Sequence, residues 1–269
     1  MRWTLKTAPN LSLVDQLSEE LSIDRVLSSL LVQRGVHTFE QAKKFFRPSL
    51  DDLHDPFLLK DMDIAVSRIE KAIANDENIL IYGDYDVDGT TAVSLVSSYL
   101  KTITNHVATY IPDRYDEGYG ISTQGIDFAT DHNFSLIIAL DCGIKAIEKV
   151  NYAIQNNIDF IICDHHKPGD KIPKAVAVLN AKRVDCNYPF EELCGCGVGF
   201  KLIQALASKR GQTLEDLTQY LDLVATAIAA DIVPITGENR ILTYFGLQVI
   251  NSNPRNGIKA IIQGVKKIY

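Results

Sequence analysis

Five short apolar runs, Ile79 to Tyr82, Val107 to Ile111, Leu136 to Leu140, Phe160 to Cys163 and Ala175 to Leu179, recur through the middle of the chain, with helix-length segments near 90–102, 122–132 and 144–156 among them. Each run is β-branched or aromatic and apolar on both alternating faces, so a strand built from it has to be covered on both sides. Strands of that kind alternating with helices form βαβ units with right-handed crossovers. The pattern predicts an α/β fold, a parallel sheet with helices on both faces.

A helical period from Met62 to Ala74 leads into this region; two further helical stretches, near 198–210 and 214–230, follow it and precede a tail rich in Ile, Gly and Lys. Residues 11–47 read as short amphipathic helices, the last of them, TFEQAKKFF, opened by Thr38 as a cap and closed before Pro48. The expected organisation is a small helical segment over 1–54 and an α/β domain over 55–269, without internal repeats or low-complexity sequence.

Charge narrows the partners. Lys plus Arg number 27 and Asp plus Glu 34, a net charge of −7, so no bulk positive field draws in a polyanion. A nucleic-acid partner would need a local basic patch, bound metal or a further domain. The N-terminus lacks the basic, apolar, small-residue succession of a secretory signal, and no stretch approaches the roughly 18 apolar residues of a membrane span. A cytoplasmic chain with no membrane partner is expected. Its five cysteines, an odd number, read as reduced thiols. Cys186, Cys194 and Cys196 make a poor zinc site, having no CxxC pair and no fourth ligand at a familiar spacing.

Four acidic or histidine clusters stand out: GDYDVDGTT at 83–91, LDCG at 140–143, CDHHKPGD at 163–170 and AADIVP at 229–234. The first three begin where an apolar run stops. In an open parallel sheet, ligands bind beyond the carboxyl ends of the strands, so these clusters converge. A single Asp there is best read as a helix cap, but six Asp and two adjacent His at one sheet edge repel unless cations neutralise them. Carboxylates mixed with imidazole suit Mn, Mg, Fe or Zn, and a pair of such ions serves in-line displacement at phosphorus.

Two other readings of the first cluster fail. Asp84, Asp86, Asp88 and Gly89 match an EF-hand loop, yet its final, bidentate-Glu position falls on Leu95. Asp86 to Thr90 spell the DxDGT of haloacid-dehalogenase-like phosphatases, but Gly83, Asp84 and Tyr85 separate Asp86 from the strand, and that chemistry has no use for His165 and His166.

Asp164, His165 and His166 after an apolar strand, with GDYDVDG and LDCG upstream and AADIVP downstream, resemble the DHH phosphoesterase superfamily, and within it the single-strand-specific 5′ to 3′ exonucleases. The likeness extends over nearly the whole chain, through LVQRGVHTFEQAKKFFRPSLDDLHDPFLLKDMDIA, IPDRYDEGYGIS and CGCGVGFKL. It implies two divalent metal ions, Mn or Mg, held by Asp84, Asp86, Asp141, His165 and Asp231, with Asp141 shared between them. His166 is then expected at the phosphate or leaving oxygen, so His166 and Asp141 are the implied catalytic pair. Asp88 and Asp164 would orient ligands and backbone from behind. Arg114 and Lys167 are the implied contacts to phosphate or nucleic acid. Tyr115 and Tyr119 are candidates for base stacking or for loop packing, and Gly195, Gly197 and Gly199 for phosphate binding through their amides or for close helix packing.

The implied activity is stepwise hydrolysis of single-stranded DNA from the 5′ end, releasing 5′-mononucleotides without a covalent intermediate, in recombination and repair and with proteins of repair complexes as further partners. A DHH phosphodiesterase acting on short oligonucleotides or cyclic dinucleotides, and a non-catalytic scaffold, are the alternatives; every implied ligand is present, which favours catalysis. Members of this group continue into a second lobe with a glycine-rich GGH motif and an oligonucleotide-binding fold, so the chain is expected to be a fragment that binds metal but degrades DNA weakly.

Overall fold

A computed structural model describes residues 4–265; the ends of both expected segments, residues 1–3 and 266–269, lie outside the described residues. The chain divides into two compact units, Met1–Asp52 and Leu53–Tyr269.

The first unit holds α1 (Leu11–Leu21), α2 (Arg25–Val32) and α3 (Phe39–Phe46). Each begins where a side-chain oxygen satisfies an otherwise unpaired amide: Asn10 accepts Ser12 N, Asp24 accepts Val26 N and Thr38 accepts Gln41 N. Val14, Leu17, Leu31, Val32, Val36 and Ala42 form its core.

The second unit runs α4 (Met62–Ala74), β1 (Asn78–Gly83), α5 (Val87–Leu100), β2 (Val107–Tyr110), α6 (Thr123–Asp131), β3 (Phe134–Leu140), α7 (Ile147–Gln155), β4 (Asp159–Cys163), β5 (Ala177–Leu179), α8 (Gly195–Lys209), α9 (Leu214–Leu217), α10 (Leu221–Ala230), α11 (Gly237–Ser252) and α12 (Asn256–Val265). The strands lie in the order β2-β1-β3-β4-β5 with every pairing parallel. Helices α6 and α7 bury Ile126, Ala129, Val150 and Ala153 against Leu80, Tyr82, Ile137 and Phe160 on one face. The opposite face is covered by α4, α5 and α8, with α10 packed behind. All five apolar runs are strands, and the order doubles back at β1, so the β1/β3 boundary is the switch point where such sheets bind ligands.

Two expectations change. β2 is an edge strand with Thr109 exposed, because a sheet edge needs only one covered flank. The helix expected over 214–230 breaks into α9, a 3-10 turn at Thr218–Tyr220 and α10. Arg255 holds the break by donating to Gln219 O and to the buried Asp222 carboxylate, so tertiary hydrogen bonds override helical continuity. The Ile-, Gly- and Lys-rich tail is largely helical: a Cβ on Gly246 would meet Leu221 O at 2.3 Å, so the glycine that weakens the helical signal is what lets α11 press against α10.

Candidate metal centre

Three strands deliver the acidic residues to one edge. β1 ends at Gly83 and is followed by Asp84, β3 ends at Leu140 and is followed by Asp141, and β4 ends at Cys163 and is followed by Asp164. Since β3 lies between β1 and β4, Asp141 stands between Asp84 and His165. The backbone tightens at this point. Asp141 has φ of +60°, a left-handed conformation tolerated by short polar residues, and its amide donates to Cys163 O at 2.8 Å. A Cβ on Gly89 would meet Asp84 O at 2.4 Å, so α5 begins directly against the end of β1.

His165, 8% exposed, is the hub. Its Nε2 lies 3.2 Å from Asp141 Oδ1, 3.6 Å from Asp231 Oδ2 and 3.7 Å from Asp88 Oδ2. The approach to Asp141 Oδ1 is off the N–H direction and forms no hydrogen bond, which leaves that oxygen and His165 Nδ1 buried without partners. Asp84, fully buried, spends Oδ1 on Tyr85 N and leaves Oδ2 unpartnered. Unpaired buried acceptors are costly, and three at one strand edge is the pattern of ligand atoms held ready for a cation.

Two sets of three donors gather within 4.8 Å of one another: Asp141, His165 and His166, and Asp88, His165 and Asp231. Of the five residues implied as ligands, Asp141, His165 and Asp231 are thus brought together, whereas Asp84 and Asp86 lie in neither set. Asp86 is exposed at the start of α5, where its Oδ1 accepts Gly89 N at 2.9 Å. Asp231 closes α10 and is followed by Ile232, which has φ of +58° and is 86% exposed.

Burial, and then the charges of Asp88, Asp86, Asp164 and Asp231, push the Asp141 carboxyl far above the ordinary carboxylate range. Burial also raises Asp88 and Asp84. Burial lowers His165, keeping its imidazole neutral and able to bind a metal. The donor set therefore fits divalent cations: without positive charge these carboxylates cannot all ionise.

Asp164 and Asp88 serve the backbone. Asp164 Oδ1 accepts His165 N, His166 N and His166 Nδ1, the last at 2.7 Å, and Oδ2 accepts Ile144 N. Burial works against the Asp164 charge, but these hydrogen bonds, His166 foremost, hold the carboxyl below its usual value. The same contact raises His166. Asp88 Oδ2 and Oδ1 accept Gly195 N and Cys196 N. That corrects the idea of a phosphate at the start of α8: a carboxylate already occupies those amides, and Gly197 N is taken by Cys194 Sγ at 3.3 Å. Gly199 serves close packing, where a Cβ would meet Val96 at 3.3 Å. Neither donor set among the described residues includes a cysteine.

The outlying candidates divide. Lys167 is exposed beside the histidines. Arg114 is exposed and rests on the Tyr85 ring at 5.2 Å, with no ion pair to Asp116 or Glu117 among the described residues. Tyr115 is 91% exposed and makes no ring contact among the described residues, whereas the Tyr119 hydroxyl lies 3.2 Å from His166 Nε2. Asn180, missed by sequence reasoning, directly follows β5 and donates to His166 O at 2.8 Å. Its signal was the one that exposed the aspartates, a polar residue at the end of an apolar run.

Residues 78–228 match the model of the DHH family, N-terminal domain. The chain is 41% identical over 98% of its length to the single-stranded-DNA-specific exonuclease RecJ of Bacillus subtilis (strain 168), and spans 33% of that relative. Among solved structures, exonuclease RecJ bound to manganese superposes with a TM-score of 0.72 at 30% identity, covering 81% of this chain and 54% of that one. RecJ of Thermus thermophilus in complex with Mn2+ gives a TM-score of 0.81 at 26% identity, covering 98% of this chain and 37% of that one. The chain thus spans less than half the length of the curated relatives with which it aligns most extensively.

Proposed function

The chain belongs to the DHH family, and on that premise we propose that it is the metal-binding part of a single-strand-specific exonuclease that hydrolyses DNA from the 5′ end and releases 5′-mononucleotides. The observation that carries this reading is the group of unpartnered buried atoms, Asp84 Oδ2, Asp141 Oδ1 and His165 Nδ1, at the carboxyl ends of three adjacent strands. The relatives named above are exonucleases, and the solved ones hold Mn2+.

Two divalent ions, Mn or Mg, would be held by Asp84, Asp86, Asp141, His165 and Asp231, with Asp141 following the middle strand of the three. Bound there, such ions lower the pKa of water and neutralise charge developing on a phosphodiester in line with attack. The protein's own groups do the rest. Asp164 fixes His166 through Nδ1 and leaves Nε2 to meet the phosphate or the leaving oxygen. Asp88 holds the start of α8 against the site. Arg114 and Lys167, both exposed, attract the backbone of a single strand that the net charge of −7 would otherwise repel. The catalytic unit is taken as 55–269, with 1–54 as a helical appendage. Five free cysteines fit the reducing cytoplasm, where proteins of recombination and repair complexes would be the partners.

Single-stranded DNA labelled separately at each end, incubated with Mn2+ or Mg2+ beside Asp141→Ala, tests the reading. Metal-dependent release of mononucleotides from the 5′ end, lost in the variant, is expected. Release from the 3′ end, or release that persists in Asp141→Ala, defeats it.

A further inference from the structure

Asp164, His166 and Tyr119 form a hydrogen-bonded line. Asp164 Oδ1 accepts from His166 Nδ1 at 2.7 Å, and the Tyr119 hydroxyl meets His166 Nε2 at 3.2 Å. With Nδ1 held by the carboxylate, Nε2 is the nitrogen left to face the phenol, accepting from its O–H in the neutral ring and donating to its oxygen in the imidazolium. The rings stand edge to face, 6.3 Å apart at 90°, and Tyr119 in turn stands edge-on to Tyr85 at 6.0 Å.

The loop that carries Tyr119 is built to hold it there. Gly118 and Gly120 flank it, both at φ +82°, a conformation that a side chain would strain. On the near side Asp113 O accepts the amides of Glu117 and Gly118, and the Glu117 carboxylate gathers Tyr110 OH, Asp113 N and Ser122 Oγ. On the far side the buried Tyr82 hydroxyl donates to Gly120 O at 2.8 Å and accepts Ser122 N at 3.0 Å. Tyr82 lies on β1 two residues before Asp84, so the sheet that places the acidic cluster also places the loop. Core packing does not explain Tyr119, which is 59% exposed.

Resting on the phosphodiesterase reading above, we propose that Tyr119 is a positioning residue for His166: its hydroxyl fixes the imidazole from the Nε2 side, as Asp164 does from the Nδ1 side, and keeps that nitrogen aimed at the position of the phosphate or leaving oxygen. A histidine held at one nitrogen alone can swing about that contact; held at both, it has one orientation. The phosphate or leaving oxygen then meets a nitrogen already in place.

The test is Tyr119→Phe, which removes the hydroxyl and keeps the ring. In the metal-free protein, 15N NMR of the His166 side chain should show Nε2 moving toward the value of an unbonded imidazole nitrogen while Nδ1 stays put; an unmoved Nε2 overturns the proposal. In Mn2+-dependent hydrolysis kcat should fall about five- to tenfold, the rate equivalent of one hydrogen bond, with KM and Mn2+ binding unchanged. Unchanged kcat overturns it, as does a raised KM confined to Tyr119→Ala, the signature of base stacking. If the wild-type chain hydrolyses nothing, the functional reading fails by itself, and the NMR result alone decides whether Tyr119 fixes His166.

Discussion

Asp88 and Gly195 are joined by a 2.6 Å hydrogen bond from the Gly195 amide to Asp88 Oδ2, so a carboxylate near the start of α5 caps the start of α8. The same glycine faces the site. A Cβ built on Gly195 would lie 2.5 Å from Asp141 Oδ1 and from Asp141 Cβ, inside any real contact distance. Gly195→Ala should therefore displace the buried Asp141, costing about 1–3 kcal/mol in denaturant unfolding. Mn2+ affinity should fall about 10–100-fold, as it does when groups supporting metal ligands are lost. Calorimetric titration that returns wild-type affinity would remove Gly195 from the machinery.

The raised carboxyl of Asp141 makes stability depend on pH and metal together. Its folded pKa lies above the unfolded value of about 3.9, so the metal-free fold binds more protons than the unfolded chain above that value. Stability must then fall as pH rises. Between about pH 6.5 and 8 the buried cysteines, whose ordinary thiol value is about 8.5, add only a small decline of the same sign. Thermal melts of the metal-free protein should decline across that window, and Mn2+ in excess should flatten the decline, because a bound cation keeps the carboxylates ionised and releases their protons. A melting temperature independent of pH without metal would contradict this.

Lys201 of α8 and Glu238 of α11, 0% and 1% exposed, pair at 2.6 Å, and Glu238 also accepts Tyr188 OH and His54 N. Removing one partner strands the other. Glu238→Ala is expected to cost about 3–5 kcal/mol, while Lys201→Met with Glu238→Leu should recover part of it, since a buried pair is no more stable than well-packed apolar groups. Urea unfolding of Lys201→Met, Glu238→Leu and the double variant measures the coupling; additive losses would mean that the pair does not act as a unit.

Asp86 separates capping from ligation. Its Oδ1 accepts Gly89 N at the start of α5, a role asparagine fills equally well. Asp86→Asn should unfold within about 0.5 kcal/mol of the wild type. If Asp86 holds an ion, Mn2+ affinity should nevertheless drop about tenfold or more; wild-type affinity in a calorimetric titration would assign Asp86 to the helix alone.

Much of this was legible in sequence because it is local. Apolar runs announce strands, and an aspartate after such a run announces a site, which is how Asp84, Asp141, Asp164 and His165 are found before any folding. Thr38 likewise caps α3 as its position predicts. The break before α10 was not legible, since Arg255, more than thirty residues on, supplies the groups that stabilise it.

The order of the strands separates what sequence alone determined from what tertiary structure decided. Sequence specifies five strands, their helices and the residues at their carboxyl ends, because side-chain periodicity and turn chemistry act over a few neighbours. It does not specify that β3 inserts between β1 and β4, that Asp88 takes the amides of Gly195 and Cys196 and so leaves no anion site there, or that Tyr119 reaches His166 across 47 positions. Those contacts form only when distant segments pack, and burial then decides which carboxylates are paired and which are left waiting for a cation.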